Sequence, residues 1–413
     1  MVVQTARPPE SSTQPRYDVG GVLLERPFKI RRLGHFGVNV DRMEEAMHFY
    51  SDLLGFEISD QLDVGGRLTP EQRSQIGSLP TAGYFTRHGT DHHAFVVFPR
   101  TAFQVMRGEE PSQITINQIT WQVGSLSEVV EGSRFFEERG ISVSRSGRDT
   151  PGSNWHTYPF DPDGHTNELY YGIEQVGWNG YSKPRAMYNR GFRERPPLPQ
   201  MSEFDEVQAA IAERIDLESG YRHVEANPRT FDVDGILLAR PFKIVRIGPV
   251  RLFVQDVAAA CAFYTSVMGL TETSTVQYRG HECVFMRVNT EHHSLALYPV
   301  ALRKELGLSE HTTLMSFGVQ VANYRQLRDA VGFLRDRGVE VRTLPPELSP
   351  GIDYSFLALD PEGHAIQLYY YMQQVPFSGS VTVADSTRLD AWPATVEARQ
   401  DTFGGEPYLG PWG

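Results

Sequence analysis

Cysteine is nearly missing from this sequence: Cys261 and Cys283 are the only two in 413 residues. Two thiols build neither a disulfide framework nor a cysteine zinc cluster, and their scarcity fits a reducing cytoplasm. Long apolar runs are missing too. No stretch reaches the ~18 apolar residues that span a bilayer, so no transmembrane helix is expected. The opening "MVVQTARPPESSTQPRYDVG" lacks the apolar centre of a signal peptide and reads as a polar arm. A surplus of positive charge is likewise absent. The net charge of −12 leaves no basic footprint for nucleic acid or an anionic membrane. Histidine, by contrast, occurs 13 times, so a metal site here would use nitrogen and oxygen ligands.

An internal repeat organises what is present. "YDVGGVLLERPFKIRRLGHFGVNV" (17–40) aligns without a gap on "FDVDGILLARPFKIVRIGPVRLFV" (231–254). "GTDHHAFVVFP" (89–99) answers "NTEHHSLALYP" (289–299), and "DPDGHTNELYY" (161–171) answers "DPEGHAIQLYYY" (360–371). The first copy carries an insertion at 63–83, Gly- and Pro-punctuated, which reads as a loop. Within each copy a smaller unit recurs: a short alternating strand, an amphipathic helix such as "DRMEEAMHFYSDLLG", then several strands. Gly55 stops that helix. The expected fold is α+β, with four βαβββ modules in two pairs, each pair an open barrel-like cup. The expected boundaries are an arm at 1–29, a first domain at 30–172, a linker with a helix at 173–243, a second domain at 244–375 and a tail at 376–413.

The two copies differ where chemistry would sit. Period-2 alternation places His35 with Gly37 and Asn39 on one strand face, and Gln118 with Thr120 and Gln122 on another. Glu168 projects from a third strand beside Tyr170. Three strands can therefore aim one donor each into a shared concavity. A histidine, a carboxylate and a neutral third ligand suit a divalent metal such as iron. In the second copy these positions read Pro249, Ser316 and Gln367. All three donors vanish together while the strand frame survives, as expected of a site used in one copy only.

The modules, the "GHFGVNV" opening, the "HH" strand and the closing "YPFDPDGHTNELYY" resemble the vicinal oxygen chelate superfamily, and within it the type I extradiol (catechol 2,3-) dioxygenases. The resemblance is detailed over 30–172 and degenerate over 244–371. It implies Fe(II), with Mn(II) as the alternative, held by His35, Gln118 and Glu168. Two departures stand out: Gln118 occupies a position where the family has histidine, and the metal-bearing pair of modules comes first in the chain. The resemblance further implies His92 as acid–base and Tyr158 as donor to a substrate oxygen, with His93, Asp149 and His156 lining the substrate. His165 recurs as His364, which favours a structural role for it.

The expected reaction is cleavage of a catechol-like aromatic ring by dioxygen. A non-redox isomerase, epimerase or lyase using the metal as a Lewis acid is the alternative, as is a metal-free binding protein. The partners expected are a small aromatic substrate and dioxygen, in a cytoplasmic homo-oligomer without nucleic acid or membrane.

Overall fold

A computed structural model describes residues 16–148, 151–187, 198–199, 201–375 and 389–396. A hairpin opens each half: β1 (Tyr17–Val19) with β2 (Val22–Leu24), and later β11 (Phe231–Val233) with β12 (Ile236–Leu238). Asp18 accepts a hydrogen bond from the amide of Gly21, and Asp232 repeats this with Gly235. The first sheet contains β3 (Ile30–Val40), β4 (Glu57–Asp63), β5 (Ala82–Arg87), β6 (Phe95–Pro99), β7 (Ile116–Val123), β8 (Val143–Arg148), β9 (Trp155–Pro159) and β10 (Asn167–Tyr171). Their spatial order is β4-β5-β6-β3-β7-β10-β9-β8. Each quartet is one βαβββ module, and the two meet along the antiparallel pair β3·β7.

The second sheet repeats this order with β13 (Ile244–Val254), β14 (Thr271–Tyr278), β15 (His281–Arg287), β16 (Leu295–Pro299), β17 (Leu314–Val321), β18 (Val341–Arg342), β19 (Ser355–Leu359) and β20 (Ala365–Tyr369). The two eight-stranded sheets are the two cups that the repeat predicts.

Alternation decides which side chains pack and which line the cup. From β3, Phe36, Val38 and Val40 enter the apolar core with Ile119, Trp121 and Val123 of β7. Helices α1 (Met43–Met47) and α3 (Leu126–Glu138) cover that face with Met43, Ala46, Val129 and Phe136. Full burial of such side chains is worth about 1.5–3 kcal/mol each. After α1 the helix continues as a π-helical turn (His48–Leu53) and ends at Gly55, whose φ of +89° only glycine adopts readily. The inserted segment differs from its expectation as a loop. It contains α2 (Pro70–Ile76), started by Pro70 and by a reciprocal capping box between Thr69 and Gln72.

The halves join through paired contacts. Phe36 stacks on Phe317 at 4.5 Å. Tyr50 donates to Asp360 and Tyr264 to Asp161, each at 2.9 Å. His165 bridges Asp161 to Thr313 of the other half, and His364 bridges Asp360 to Thr115. The "DPxGH" repeat is thus a lock between the cups, which accounts for its presence in both copies.

Candidate functional site

Glu168 is completely buried, and four side chains converge on its carboxylate. Thr120 Oγ1 donates to Oε2 at 2.8 Å and Asn154 Nδ2 to Oε1 at 2.8 Å. Gln118 Nε2 lies 3.1 Å from Oε2, and His35 Nε2 lies 3.0 Å from the same oxygen. Strand register produces this convergence. On β7, Thr120 faces His35 on one side and Glu168 on the other, while Gln118 faces Gly37. His35, Gln118 and Glu168 therefore meet on the concave face, although 83 and 50 residues separate them in sequence.

Two glycines make room. A Cβ on Gly34 would lie 2.2 Å from the Tyr170 ring, and one on Gly37 would lie 2.3 Å from Val96 Cγ2. Tyr170 consequently packs beside His35, with ring centroids 5.0 Å apart. Burial raises its phenol pKa.

The histidine pair has a definite order. The His93 ring lies against His35, with centroids 4.2 Å apart, whereas His92 stands behind it. The two Nδ1 atoms are 3.0 Å apart, so one imidazole donates and the other accepts. His92 Nε2 is buried and lies 3.9 Å from an Asp60 carboxylate oxygen, beyond direct hydrogen-bond reach. The geometry therefore sets His93 nearest the three converging side chains. The second half keeps the pair, with His292 and His293 Nδ1 atoms also 3.0 Å apart, but ends it on Ser274 instead of an aspartate.

Tyr158 sits on β9 and is buried; its ring meets His156 edge-on at 4.6 Å and carries the Arg145 guanidinium 4.4 Å above it. His156 pairs with Tyr170 across β9 and β10. Asp149 lies outside the described residues. Among described residues, no group of three His, Cys, Asp or Glu side chains could hold a metal ion, and the side chain that stands with His35 at the Glu168 carboxylate is the amide of Gln118.

Two residues in this arrangement are not singled out by the sequence: Thr120 and Asn154. Thr120 shares a strand face with Gln118, which is a usable signal. Asn154 follows the turn "PGS", where Gly152 and Ser153 both have positive φ (101° and 59°), and that turn directs its side chain inward.

Comparison with known proteins bears on the fold and the family. A 2,2',3-trihydroxybiphenyl dioxygenase of Sphingomonas paucimobilis is 26% identical over 125 residues, covering 30% of this chain and 41% of that protein. The structure of homoprotocatechuate 2,3-dioxygenase from Arthrobacter globiformis superposes with a TM-score of 0.52 at 16% identity, over 93% of this chain and 90% of that one. A Mn(II)-bound glyoxalase from Novosphingobium aromaticivorans gives the same TM-score at 15% identity, over 93% of each chain. At such identities the likeness is one of fold. The sequence profile of the glyoxalase/bleomycin resistance protein/dioxygenase superfamily matches residues 32–169 and 246–368, one stretch in each half and together more than half of the chain. The chain belongs to this superfamily, known also as the vicinal oxygen chelate superfamily.

Proposed function

We propose that the N-terminal cup holds one divalent metal, iron(II) by preference, on His35, Gln118 and Glu168, and that the protein opens a catechol-type ring with dioxygen. The observation that carries this reading is the convergence of His35 and Gln118 on one oxygen of a buried Glu168, at 3.0 and 3.1 Å. A carboxylate, an imidazole and an amide gathered around one buried oxygen are a donor set that would suit a divalent ion. The Gln118 amide offers its oxygen after half a turn of the side chain, because an amide's two ends are interchangeable in shape. The second half, which has none of the three donors, keeps the strand frame and serves as an internal control.

Bound iron supplies Lewis acidity that lowers the pKa of a chelating hydroxyl, and redox chemistry toward dioxygen. The chain's own residues then act around the ring. Thr120 and Asn154 fix the Glu168 carboxylate in one orientation, as partners of metal-binding carboxylates do. Tyr158, on the strand beside Glu168, donates its phenol proton to a substrate oxygen. His93, the member of the pair that abuts His35, takes and returns the proton, and its Nδ1 contact with His92 holds its ring in place.

Oxygen uptake by the iron(II)-loaded protein across a panel of substituted catechols tests the reading, with ring opening followed by visible absorbance. Uptake with a yellow product supports it. No uptake at full iron loading overturns it in favour of Lewis-acid isomerase or lyase chemistry, and failure to bind iron, manganese or zinc would leave a metal-free binding protein. Gln118→His should retain or tighten iron binding, whereas Gln118→Ala should weaken it.

A further inference from the structure

The C-terminal cup is closed by its own apolar cluster, which includes Phe253, Phe285, Tyr298, Met315 and Leu357. Inside it lies a charge. Arg251 stands at the position of Gly37, paired with Ser316 as Gly37 is paired with Gln118, and it is completely buried. The exchange is made in concert: Val96, which forbids a side chain at Gly37, is Ala296 in the second half. The cup that lost the metal donors thus gained a guanidinium and the space for its stem.

That guanidinium has only neutral company. It donates to Ser349 Oγ at 3.1 Å and contacts His293 Nε2 at 3.2 Å, and among the described residues no carboxylate hydrogen-bonds or ion-pairs with it. Burial, with Arg251 itself as the second cause, holds His292 at about 3 and His293 well below the ordinary imidazole value, so both are neutral partners. Arginine does not give up its proton, and a buried charge without a counter-charge is strongly unfavourable. Three buried polar atoms belonging to this nest also lack a hydrogen-bond partner: Arg251 Nε, Ser316 Oγ and Gln367 Oε1. Half a turn of the Gln367 amide lets the hydroxyls of Ser355 and Ser349 donate to its oxygen and turns its NH2 into the nest. The Arg251 Nε–H, the Ser316 hydroxyl and that NH2 are then three buried donors without an acceptor, in a cup that carries a fixed positive charge.

We infer that the C-terminal cup binds a small monovalent anion, of halide size, on Arg251, Ser316 and Gln367. One cation calls for one negative charge, and the closed apolar wall excludes larger anions. The site is independent of the proposed ring cleavage, since it uses no residue of the N-terminal cup.

The probe is bromide. Crystals of the full chain soaked in bromide, measured at the bromine absorption edge, should show an anomalous peak within hydrogen-bond reach of Arg251 Nε. In solution, replacing a bulky anion such as gluconate by chloride at constant ionic strength should raise the Tm by a few degrees, through ligand linkage. Ser316→Ala, which removes one donor and leaves the fold intact, should weaken the halide response about tenfold in Kd. Arg251→Met should abolish it. Overturning results are a water in place of the anomalous peak while bromide is seen elsewhere, a peak without any halide-dependent Tm (binding at crystal concentration only), or a halide response equal in wild type and Ser316→Ala. Should Arg251→Met fail to fold, the soak and the Ser316→Ala titration decide.

Discussion

Two cups with the same strand order carry opposite interiors. The N-terminal one directs a carboxylate, an imidazole and an amide at a single point, an arrangement that attracts a cation. The C-terminal one buries a guanidinium among hydroxyls and neutral histidines, an arrangement that repels one. The frame is common to both: hairpin, long central strand, histidine pair and the aspartate–histidine lock recur in each half. The difference resides in positions facing the concavity, among them His35/Pro249, Gly37/Arg251, Gln118/Ser316 and Glu168/Gln367. A duplicated sheet therefore keeps its packed face under a shared constraint, while the residues lining the cup are free to diverge in charge.

The largest test of this contrast is Glu168→Gln, which installs the second half's residue in the first. Metal content should fall to background, and ring-cleaving turnover should drop by about a thousandfold or more, since several kcal/mol of metal-derived stabilisation disappear. Metal analysis and oxygen uptake measure both; retention of metal would remove Glu168 from the site. Gly37→Arg transfers the opposite cup's charge. The Val96 methyl lies 2.3 Å from the position of a new Cβ, so the single variant should lose about 3 kcal/mol or more in urea unfolding. Adding Val96→Ala, which reproduces the Arg251/Ala296 pair, should recover at least about 1 kcal/mol. Additive losses would mean that the two positions are not matched.

Tyr158→Phe is a smaller perturbation. Its counterpart is Leu357, and loss of one charge-assisted hydrogen bond should lower turnover about 10- to 100-fold with metal content unchanged. Equal turnover would remove the phenol from the reaction.

The mildest effect is on acid stability. His292 and His293 have folded pKa values lowered by burial first and by Arg251 next. Unfolded histidine protonates near 6.5. Stability from these groups is therefore complete above about pH 6.5 and is lost as pH falls toward the folded value of about 3 for His292. Arg251→Met removes the cationic neighbour and raises both folded values, so the loss of unfolding free energy should level off at a higher pH, giving a slightly shallower loss between pH 5 and 3 than in wild type. Urea unfolding at the two pH values checks this; a steeper loss would contradict it.

The alternation and the repeat made much of this molecule legible in advance. Faces are a local property with a period of two, so His35, Gln118 and Glu168 could be assigned to concave positions without knowing the fold. Comparing one copy with the other exposed which of those positions carry unequal chemistry. The helix at Pro70–Ile76 was also written locally, in Thr69, Pro70 and Gln72, but its Gly- and Pro-rich flanks read as loop. The sequence by itself thus determined the modules, their pairing and the half that keeps metal-type donors. Only the tertiary structure decided that His93 rather than His92 abuts His35, that Asn154 reaches Glu168 from a left-handed turn, and that Arg251 fills the second cup. The physical reason is range. Period fixes a side chain's face within one strand, whereas neighbours across a curled sheet depend on register shifts and turns that bring together residues tens of positions apart.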